Sequence, residues 1–404
     1  MPAGAVSGHT RLGKEGCRLL KELLRLASGL ELGSLKVDSS LCVRVRSRRA
    51  ECECCLSVCP TQGIHIGPAV EIKSCLLCGL CTAACPTGVF ELQENSDGSV
   101  LLAVERLAAR WASVVFACDR SPRSVVRRPD WVAVRCAGRV SAELLVAALS
   151  LGAQAAYLYL DPAGCAGCHG KQAKQAASTA VAGAQAIASA YGLKAPLSLT
   201  AALPPPRAAT DSRRPAAEGV DEGRRALLTA VNGVGVKSAL KVALGTSAPE
   251  PGFAWRHSLP KRRRILLEAL ARLALPGPAG AGGAGAFPWP GLTLAGGCTF
   301  CGACVPLCPS AALKLEEAGE EGRLLFYPAR CTFCGLCLAS CPEGALACGR
   351  EPALLEFLSG EPRVLSAACA RRCAGCGRPF LSTDLAQRYC VTCRIRRQAP
   401  ERRP

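Results

Sequence analysis

Short apolar runs separated by helical patterns predict a small α/β domain in the middle of the chain. Residues 114–117, 131–135 and 155–160 are continuous apolar runs typical of buried strands. Residues 141–151 have helical apolar spacing behind a capping serine, and residues 171–191 are an alanine-rich run of helix formers. Because strands that alternate with helices favour parallel pairing, we expect a small parallel sheet here.

Amphipathic spacing predicts three further helices, at residues 17–30, 226–244 and 261–275. The first is more typical of a docking or core helix than of a membrane anchor. The other two are predicted to be packing or docking helices. The last one begins with four consecutive basic residues, for which a solvated charged face is the alternative interpretation.

Two cysteine runs near the carboxyl end carry the strongest chemical signal. They read Cys298-x2-Cys301-x2-Cys304-x3-Cys308-Pro309 and Cys331-x2-Cys334-x2-Cys337-x3-Cys341-Pro342. This is the ligand spacing of two-cluster bacterial-type ferredoxins, in which the cysteine before proline binds the other run's cluster. The runs therefore predict one [4Fe–4S] cluster on Cys298, Cys301, Cys304 and Cys341 and a second on Cys331, Cys334, Cys337 and Cys308. Zinc knuckles or disulfides are the weaker alternative.

The amino-terminal part repeats this arrangement in an altered form. Cys75-x2-Cys78-x2-Cys81-x3-Cys85-Pro86 is complete, whereas Cys52-x2-Cys55-x3-Cys59-Pro60 has Arg49 in place of its first cysteine. Cys42 lies ten residues before Cys52 and is the candidate for the missing ligand. We expect clusters on Cys42, Cys52, Cys55 and Cys85 and on Cys75, Cys78, Cys81 and Cys59, with Cys54 as a bystander. A three-cysteine site that holds a [3Fe–4S] core, or no cluster, is the alternative for the Cys42 set.

The carboxyl-terminal tail carries a third type of cysteine pattern. Cys373-x2-Cys376 and Cys390-x2-Cys393 are separated by thirteen residues. Four thiolates in paired two-residue spacing predict a tetrahedral site in a zinc-ribbon-like fold, with a single iron as the competing occupant. Such closed sites are usually structural.

The formal charge of +18 suggests nucleic acid as a partner, but it treats every thiol as neutral. Each [4Fe–4S] centre with four thiolates carries −2, as does a zinc on four thiolates, so the loaded chain has a charge of about +8. Aromatic residues make up only 4% of the chain, which does not favour base-stacking platforms. We therefore expect redox proteins, rather than nucleic acid, as partners.

The middle region resembles the delta (iron–sulfur) subunit of methyl-viologen-reducing hydrogenases over about residues 112–203. The matching segments are Phe116-Ala117-Cys118, Val134-Arg135-Cys136-Ala137-Gly138-Arg139-Val140 and Gly164-Cys165-Ala166-Gly167-Cys168-His169. The resemblance implies a [2Fe–2S] cluster on Cys118, Cys136, Cys165 and Cys168. Ser121 replaces a family cysteine, and the last pair is closer in sequence than in the family. The alternative is a cluster-free domain in which Cys165 and Cys168 cycle between thiols and a disulfide.

Together these patterns predict an α+β multidomain protein with two ferredoxin-like 2x[4Fe–4S] modules, a small parallel α/β domain between them and a zinc-ribbon-like tail. The expected order is an N-terminal helix (1–34), ferredoxin module 1 (35–100), the α/β domain (101–203), a linker (204–225), a helical segment (226–275), a second linker (276–291), ferredoxin module 2 (292–350) and the tail (365–397). No run approaches the ~18 apolar residues of a membrane-spanning helix, and no secretory signal is apparent, so we expect a cytoplasmic protein.

The expected function is electron transfer within a larger redox complex, such as a hydrogenase, heterodisulfide-reductase-type or molybdenum oxidoreductase system. No nucleophile–base pair is apparent, so we expect no catalytic residue in this chain. Two alternatives remain: a thiol/disulfide oxidoreductase that uses Cys165 and Cys168, and an iron–sulfur and zinc-containing regulatory or assembly factor.

Overall fold

The computed structural model describes residues 35–166, 168, 170–209, 259–273, 289–352, 354–384 and 386–398. The predicted helices at 17–30 and 226–244 lie outside these residues, as does most of both predicted linkers. Among the described residues, no helix has the length and apolar character needed to cross a membrane.

The first module consists of short strands and single-turn helices around a small core. Strand β1 pairs antiparallel with β4, and β2 pairs with β3 in a hairpin. Much of the core is cysteine, since Cys42, Cys55, Cys81 and Cys85 are buried together with Ile64 and other apolar residues. The elements are β1 (Leu35–Val37), α1 (Val43–Arg46), α2 (Cys54–Val58), β2 (Ile64–Ile66), β3 (Val70–Ile72), α3 (Leu80–Ala84) and β4 (Phe90–Leu92).

The middle domain contains the predicted parallel sheet. Its strand order is β6-β5-β7-β8, so the chain leaves β5 towards one side for β6 and then crosses to the other side for β7. This order is typical of doubly wound sheets, which bind ligands at the carboxyl ends of the strands where the order reverses. The elements are α4 (Asp97–Ala108), β5 (Ser113–Cys118), α5 (Arg123–Val126), β6 (Trp131–Val134), α6 (Ala142–Ser150), β7 (Ala155–Tyr159), α7 (Pro162–Ala166), α8 (Gly170–Ala190) and β8 (Leu197–Thr200).

Side chains on β5 alternate between the two faces of this sheet. Val114 and Phe116 belong to the main core, whereas Val115 and Ala117 belong to a smaller cluster on the opposite face. Ser141 caps α6, as the sequence predicts, by accepting a hydrogen bond from the Leu144 amide at 3.5 Å.

A separate helix, α9 (Lys261–Arg272), completes the main core. Its residues Ile265, Leu266 and Leu270 are fully buried against the middle domain. The hydroxyl of Tyr191 donates a 2.6 Å hydrogen bond to the Leu270 carbonyl. The apolar face predicted from the leucine spacing is therefore a packing face.

The second module repeats the plan of the first. Strand β9 pairs antiparallel with β12 from Gly291↔Gly349 to Leu294↔Leu346, and β10 pairs with β11. Strand β9 begins at Gly291, the last residue of the predicted second linker, because that residue still pairs with the last residue of β12. The elements are β9 (Gly291–Leu294), α10 (Cys304–Leu307), β10 (Leu313–Ala318), β11 (Glu321–Phe326), α11 (Leu336–Ser340), β12 (Leu346–Gly349) and α12 (Leu354–Ser359).

The tail extends the sheet of the second module. It forms β13 (Arg363–Arg372), β14 (Pro379–Ser382) and α13 (Val391–Gln398). Strand β13 lies between β11 and β14 in a four-stranded sheet of order β10-β11-β13-β14. The tail is therefore hydrogen-bonded to the second module along a full strand.

Candidate metal centres

The complete cysteine runs share one loop conformation. In each, the residue before the second cysteine has a positive φ, and the glycine after that cysteine does too. These angles turn the backbone sharply, and the Leu77 amide thereby donates to the Cys75 sulfur at 3.3 Å. The residues and φ angles are Leu77 52° and Gly79 78°, Phe300 50° and Gly302 71°, and Phe333 54° and Gly335 71°.

The four Cys-Pro segments also share one conformation. The third residue after each cysteine has a positive φ, at Gln62, Gly88, Ala311 and Gly344. In three segments the next amide donates to the cysteine sulfur: Val89 to Cys85 at 3.4 Å, Ala312 to Cys308 at 3.2 Å and Ala345 to Cys341 at 3.3 Å. Amide donors of this kind stabilise the negative charge that a cysteine sulfur carries when it binds a metal as a thiolate.

A hydroxyl group lies next to the sulfur in three of these four segments. Thr61 is 3.4 Å from Cys59, Thr87 is 3.5 Å from Cys85 and Ser310 is 3.6 Å from Cys308. In the fourth segment the corresponding residue is Glu343, which lines the cavity at Cys341. That one site therefore has a carboxylate where the others have a neutral hydrogen-bonding group.

Cysteines of the second module gather crosswise into two sets. Burial and the nearby Cys298, Cys301 and Cys341 thiols together raise the pKa of Cys304 to about 12. Burial likewise raises the pKa of Cys337, with further contributions from neighbouring thiols, Cys331 first among them. We call Cys308, Cys331, Cys334 and Cys337 centre 3, and Cys298, Cys301, Cys304 and Cys341 centre 4. They line cavities of about 620 and 450 Å³, respectively.

The first module brings together two corresponding sets. Burial raises the pKa of Cys55 to about 12, and the other thiols that raise it are Cys85, Cys52 and Cys42. Burial and the Cys78, Cys75 and Cys59 thiols raise the pKa of Cys81. We call Cys42, Cys52, Cys55 and Cys85 centre 1, and Cys59, Cys75, Cys78 and Cys81 centre 2, which lines a cavity of about 390 Å³. Thiols crowded together in this way fit a metal cluster, whose positive ions stabilise the thiolates.

The incomplete run differs locally from the other three. Instead of the turn with positive φ, helix α2 begins at Cys54, which places that residue beside Cys52. The Cys54 thiol donates a hydrogen bond to the Cys52 sulfur, which lowers the pKa of Cys52 and raises that of Cys54. Cys54 therefore contacts a member of centre 1 from outside the set.

The middle site lies at the carboxyl ends of parallel strands. Cys118 is the last residue of β5, Cys136 follows β6 and Cys165 lies in α7 after β7. Together with Cys168 they line an open cavity of about 900 Å³. Burial raises the pKa of Cys136 to about 12, with additional effects of Cys78, Cys118 and Cys165. The structure thus brings the four cysteines of the hydrogenase-like pattern to one cavity.

The middle site adjoins centre 2, because Cys78 lines the same cavity as Cys136. The domains pack tightly here: a Cβ on Gly138 would lie 2.7 Å from the Leu80 side chain and 2.8 Å from the Ala173 backbone. The buried Arg139 side chain also makes hydrogen bonds at this junction. Its Nη2 donates to Asp97 at 2.5 Å, and its Nη1 donates to Asn95 at 3.2 Å.

The two modules meet at centres 1 and 3. Val43 and Ala50 of the first module and Leu336 of the second are buried together, and Cys52 and Cys334 pack against them. Two polar contacts flank this cluster. Arg46 donates to the carbonyls of Pro306 and Leu307 at 3.3 and 3.2 Å, and Ser340 donates to the Ser47 hydroxyl at 3.0 Å.

The tail site has the dimensions of a four-thiolate metal site. The sulfurs of Cys373, Cys376, Cys390 and Cys393 all lie within 4.8 Å of one another, and those of Cys376 and Cys390 are 3.8 Å apart. A tetrahedron with Zn–S bonds of about 2.3 Å has edges of about 3.8 Å. Backbone amides, that of Cys390 first, lower the pKa of Cys373.

The tail site also contacts centre 4. The Thr383 hydroxyl donates to the Cys298 carbonyl at 3.3 Å, and Arg394 pairs with Glu343. The second cysteine pair lies at the start of α13 rather than in a second hairpin turn, which distinguishes this tail from a ribbon with two hairpin knuckles.

Several residues at these sites are not singled out by sequence reasoning. Cys348 on β12 lines the cavity of centre 3, and Trp289, in the predicted second linker, stacks on Phe333 with ring centroids 6.1 Å apart. Arg263 on α9 donates to the Cys331 carbonyl. The only sequence signal for Arg263 is its position in a basic run that opens an otherwise apolar helix face.

A comparison with protein families matches residues 297–345 to the 4Fe–4S dicluster domain family. No curated protein matches the chain. The matched residues contain centres 3 and 4, and the Cys75–Cys81 run and the Cys59 and Cys85 segments of the first module have the same local backbone geometry. The family match and the cysteine sets support an iron–sulfur protein with a ferredoxin-type domain.

Proposed function

We propose that this chain is a polyferredoxin that transfers electrons through a series of four [4Fe–4S] clusters. The proposal rests on the arrangement of the cysteine sets in a row, in which each set adjoins the next. Cys78 of centre 2 adjoins the middle site, Cys55 of centre 1 adjoins Cys81 of centre 2, and Cys304 of centre 4 adjoins Cys337 of centre 3. The contact through Leu336 joins centre 1 to centre 3. The order is therefore middle site, centre 2, centre 1, centre 3, centre 4.

The chain's own groups would hold and adjust the clusters. Sixteen cysteine sulfurs would bind the four clusters, while the amides of Val89, Ala312 and Ala345 donate to three of these sulfurs at 3.2–3.4 Å. Buried leucines such as Leu80 and Leu336 exclude water between neighbouring centres. When bound, each cluster exchanges one electron, with a potential set by net charge, hydrogen bonds and solvent exposure.

The middle site is proposed to hold a [2Fe–2S] cluster and to form one end of the series. Four thiols around one cavity at the strand ends support this assignment, as does the resemblance to the hydrogenase delta subunit. The donor or acceptor would be another redox protein, in a hydrogenase, heterodisulfide-reductase-type or molybdenum oxidoreductase complex. The tail is proposed to bind one structural zinc ion, which the 3.8 Å sulfur separation supports.

The two alternative functions receive less support from the described residues. Burial, followed by the nearby Asp161, raises the pKa of Cys165, which disfavours the thiolate that a thiol/disulfide oxidoreductase needs. For a nucleic-acid-binding regulator, the tail's arginines would have to be free. Two of them, Arg394 and Arg397, are instead engaged within the tail and its junction, since Arg394 pairs with Glu343 and Arg397 stacks on Tyr389 at 4.4 Å.

The decisive measurement is the iron, sulfide and zinc content of anaerobically purified protein, together with EPR of the dithionite-reduced sample. We expect about 18 Fe and one Zn per chain, with both [4Fe–4S] and [2Fe–2S] signals. About 16 Fe without a [2Fe–2S] signal would retain the four cubane clusters and remove the middle site from the series. Little iron with several zinc ions would refute the electron-transfer function.

A further inference from the structure

The basic run that opens α9 is placed where helix electrostatics disfavours it. Lys261, Arg262, Arg263 and Arg264 form the first turn, which has no acidic residue and no side-chain cap. The amino end of a helix carries partial positive charge, so cations are destabilised there. Arg263 and Arg264 are nevertheless buried, with 6% and 8% of their surface exposed. An unfavourable local arrangement of this kind requires a compensating partner.

This turn reaches both ferredoxin modules. Lys261 pairs with Glu91, and Arg262 donates at 2.6 Å to the carbonyl of Ala83, which lies between Cys81 and Cys85. Arg263 points to the other module and donates to the Cys331 carbonyl. Arg262 and Arg263 are therefore not part of a solvated charged face, which was the alternative interpretation of this basic run. Their guanidinium groups lie against the cysteine-bearing segments instead.

Arg263 lies in an aromatic enclosure. Its guanidinium carbon is 4.7 Å from the ring centroid of Trp289, 5.7 Å from that of Phe333 and 5.2 Å from that of Phe357. Phe333 belongs to the Cys331-x2-Cys334 loop, so the arginine stacks directly on the loop that carries two ligands of centre 3. The rings exclude water, which strengthens any electrostatic interaction made inside.

The charge of Arg263 is incompletely paired by the protein. Its Nη1 is buried without a hydrogen-bond partner among the described residues. Burial lowers the pKa of Arg263 to about 10, and Cys331 and Glu143 act in the opposite direction. A [4Fe–4S] cluster with four thiolates has a charge of −2 and would supply the missing negative charge at Cys331.

We propose that Arg263 is a buried counter-charge that stabilises the reduced cluster of centre 3 and raises its reduction potential above that of centre 4. Uptake of one electron from an external low-potential donor changes the charge of the cluster unit from −2 to −3 without a proton, so a nearby fixed cation favours the reduced form. Beside centre 4, the carboxylate of Glu343 is already paired with Arg394, so this pair adds little net charge there. Electrons within the second module would therefore collect at centre 3, next to the junction with the first module.

This inference rests on the proposed function, because it requires a cluster at centre 3. The test is an EPR-monitored redox titration of the full-length holoprotein and its Arg263→Met variant, after iron has been measured in both. We expect one titrating component to become harder to reduce by about tenfold in its equilibrium constant, which is about 59 mV for one electron. Arg263→Lys, which keeps the charge, should retain most of the wild-type potential.

Two controls assign the effect to charge at centre 3. Arg323→Met removes a charge from an exposed position in the same module, where the side chain is 59% exposed, and should leave every potential unchanged. In a Cys334→Ala background, from which centre 3 should be lost, Arg263→Met should move no remaining component.

The outcomes separate the inference from the function on which it rests. Little iron in the wild-type protein would refute the function. Full iron with unchanged potentials in Arg263→Met would overturn the counter-charge and leave the series intact. If Arg263→Met does not accumulate, Glu143→Gln removes the carboxylate near Arg263 and should make the same component easier to reduce. No movement in that variant would also overturn the proposal.

Discussion

Loss of the Asp97 charge should destabilise the middle domain where it meets the first module. Arg139 is 1% exposed, and the Asp97 carboxylate is its ionic partner at 2.5 Å. In Asp97→Asn the side chain keeps its size, but the guanidinium is left buried with no opposite charge in contact. Removing one partner of a buried pair costs about 3–5 kcal/mol.

The lower end of that range is appropriate, because Asn95 still accepts a hydrogen bond from Arg139 at 3.2 Å. We therefore expect a loss of about 3 kcal/mol in the free energy of unfolding. For a cooperative unit of about 150–250 residues, a loss of about 3 kcal/mol lowers the melting temperature by about 6–12 °C. The additional change Arg139→Met should recover part of the loss, since it removes the unpaired charge.

The assay is thermal unfolding of the holoprotein, followed by circular dichroism near pH 7 without oxygen. Burial alone would raise the pKa of Asp97, but the charge of Arg139 outweighs it and holds this pKa below the ordinary value. The stabilisation is therefore complete above the unfolded pKa of about 4 and is lost only as the pH falls through the folded pKa. The matched control is Glu94→Gln, because Glu94 and its partner Arg135 are 47% and 43% exposed. Equal melting temperatures for the two variants would refute the reasoning.

Three further predictions concern the metal sites and the domain junction. Cys42→Ala should remove about four iron atoms per chain while Cys54→Ala removes none, and equal iron in both variants would exclude Cys42 as a ligand. Cys376→Ser should lose the zinc ion but keep the iron, so a parallel loss of iron would contradict separate sites. Gly138→Ala should lower the free energy of unfolding by about 1–3 kcal/mol, because its Cβ would lie 2.8 Å from the backbone of α8. Its control is Gly67→Ala, where nothing lies within 4 Å, and similar denaturation midpoints for the two would contradict the packing argument.

Local patterns in the sequence predict much of this architecture. The strands at 114–117, 131–135 and 155–160 differ from the observed β5, β6 and β7 by at most one residue at each end. They are predictable because a short apolar run between turn residues has few other stable arrangements. The cysteine spacing likewise predicts the crosswise sets, because the three complete runs have the same local backbone turn.

Contacts between distant segments are not encoded in such local patterns. Nothing near Cys136 in the sequence indicates that Cys78 lies beside it, and nothing near Arg263 indicates Phe333. The basic run at the start of α9 illustrates the difficulty, because this sequence is compatible both with an exposed charged face and with a buried contact. Only the tertiary packing of the leucines behind it decides which residues of that turn are buried.

By pairing with β11, strand β13 of the tail covers what would otherwise be an exposed edge of the sheet. In a chain ending before Arg363, β11 would pair only with β10 and would become an edge strand, with unpaired amides and carbonyls on the side that β13 now covers. Such edges recruit strands from other molecules and promote aggregation. The same truncation would uncover the Cys298 segment that Thr383 contacts. A chain shortened in this way should therefore self-associate through the exposed edge of β11, whereas the intact tail covers that edge.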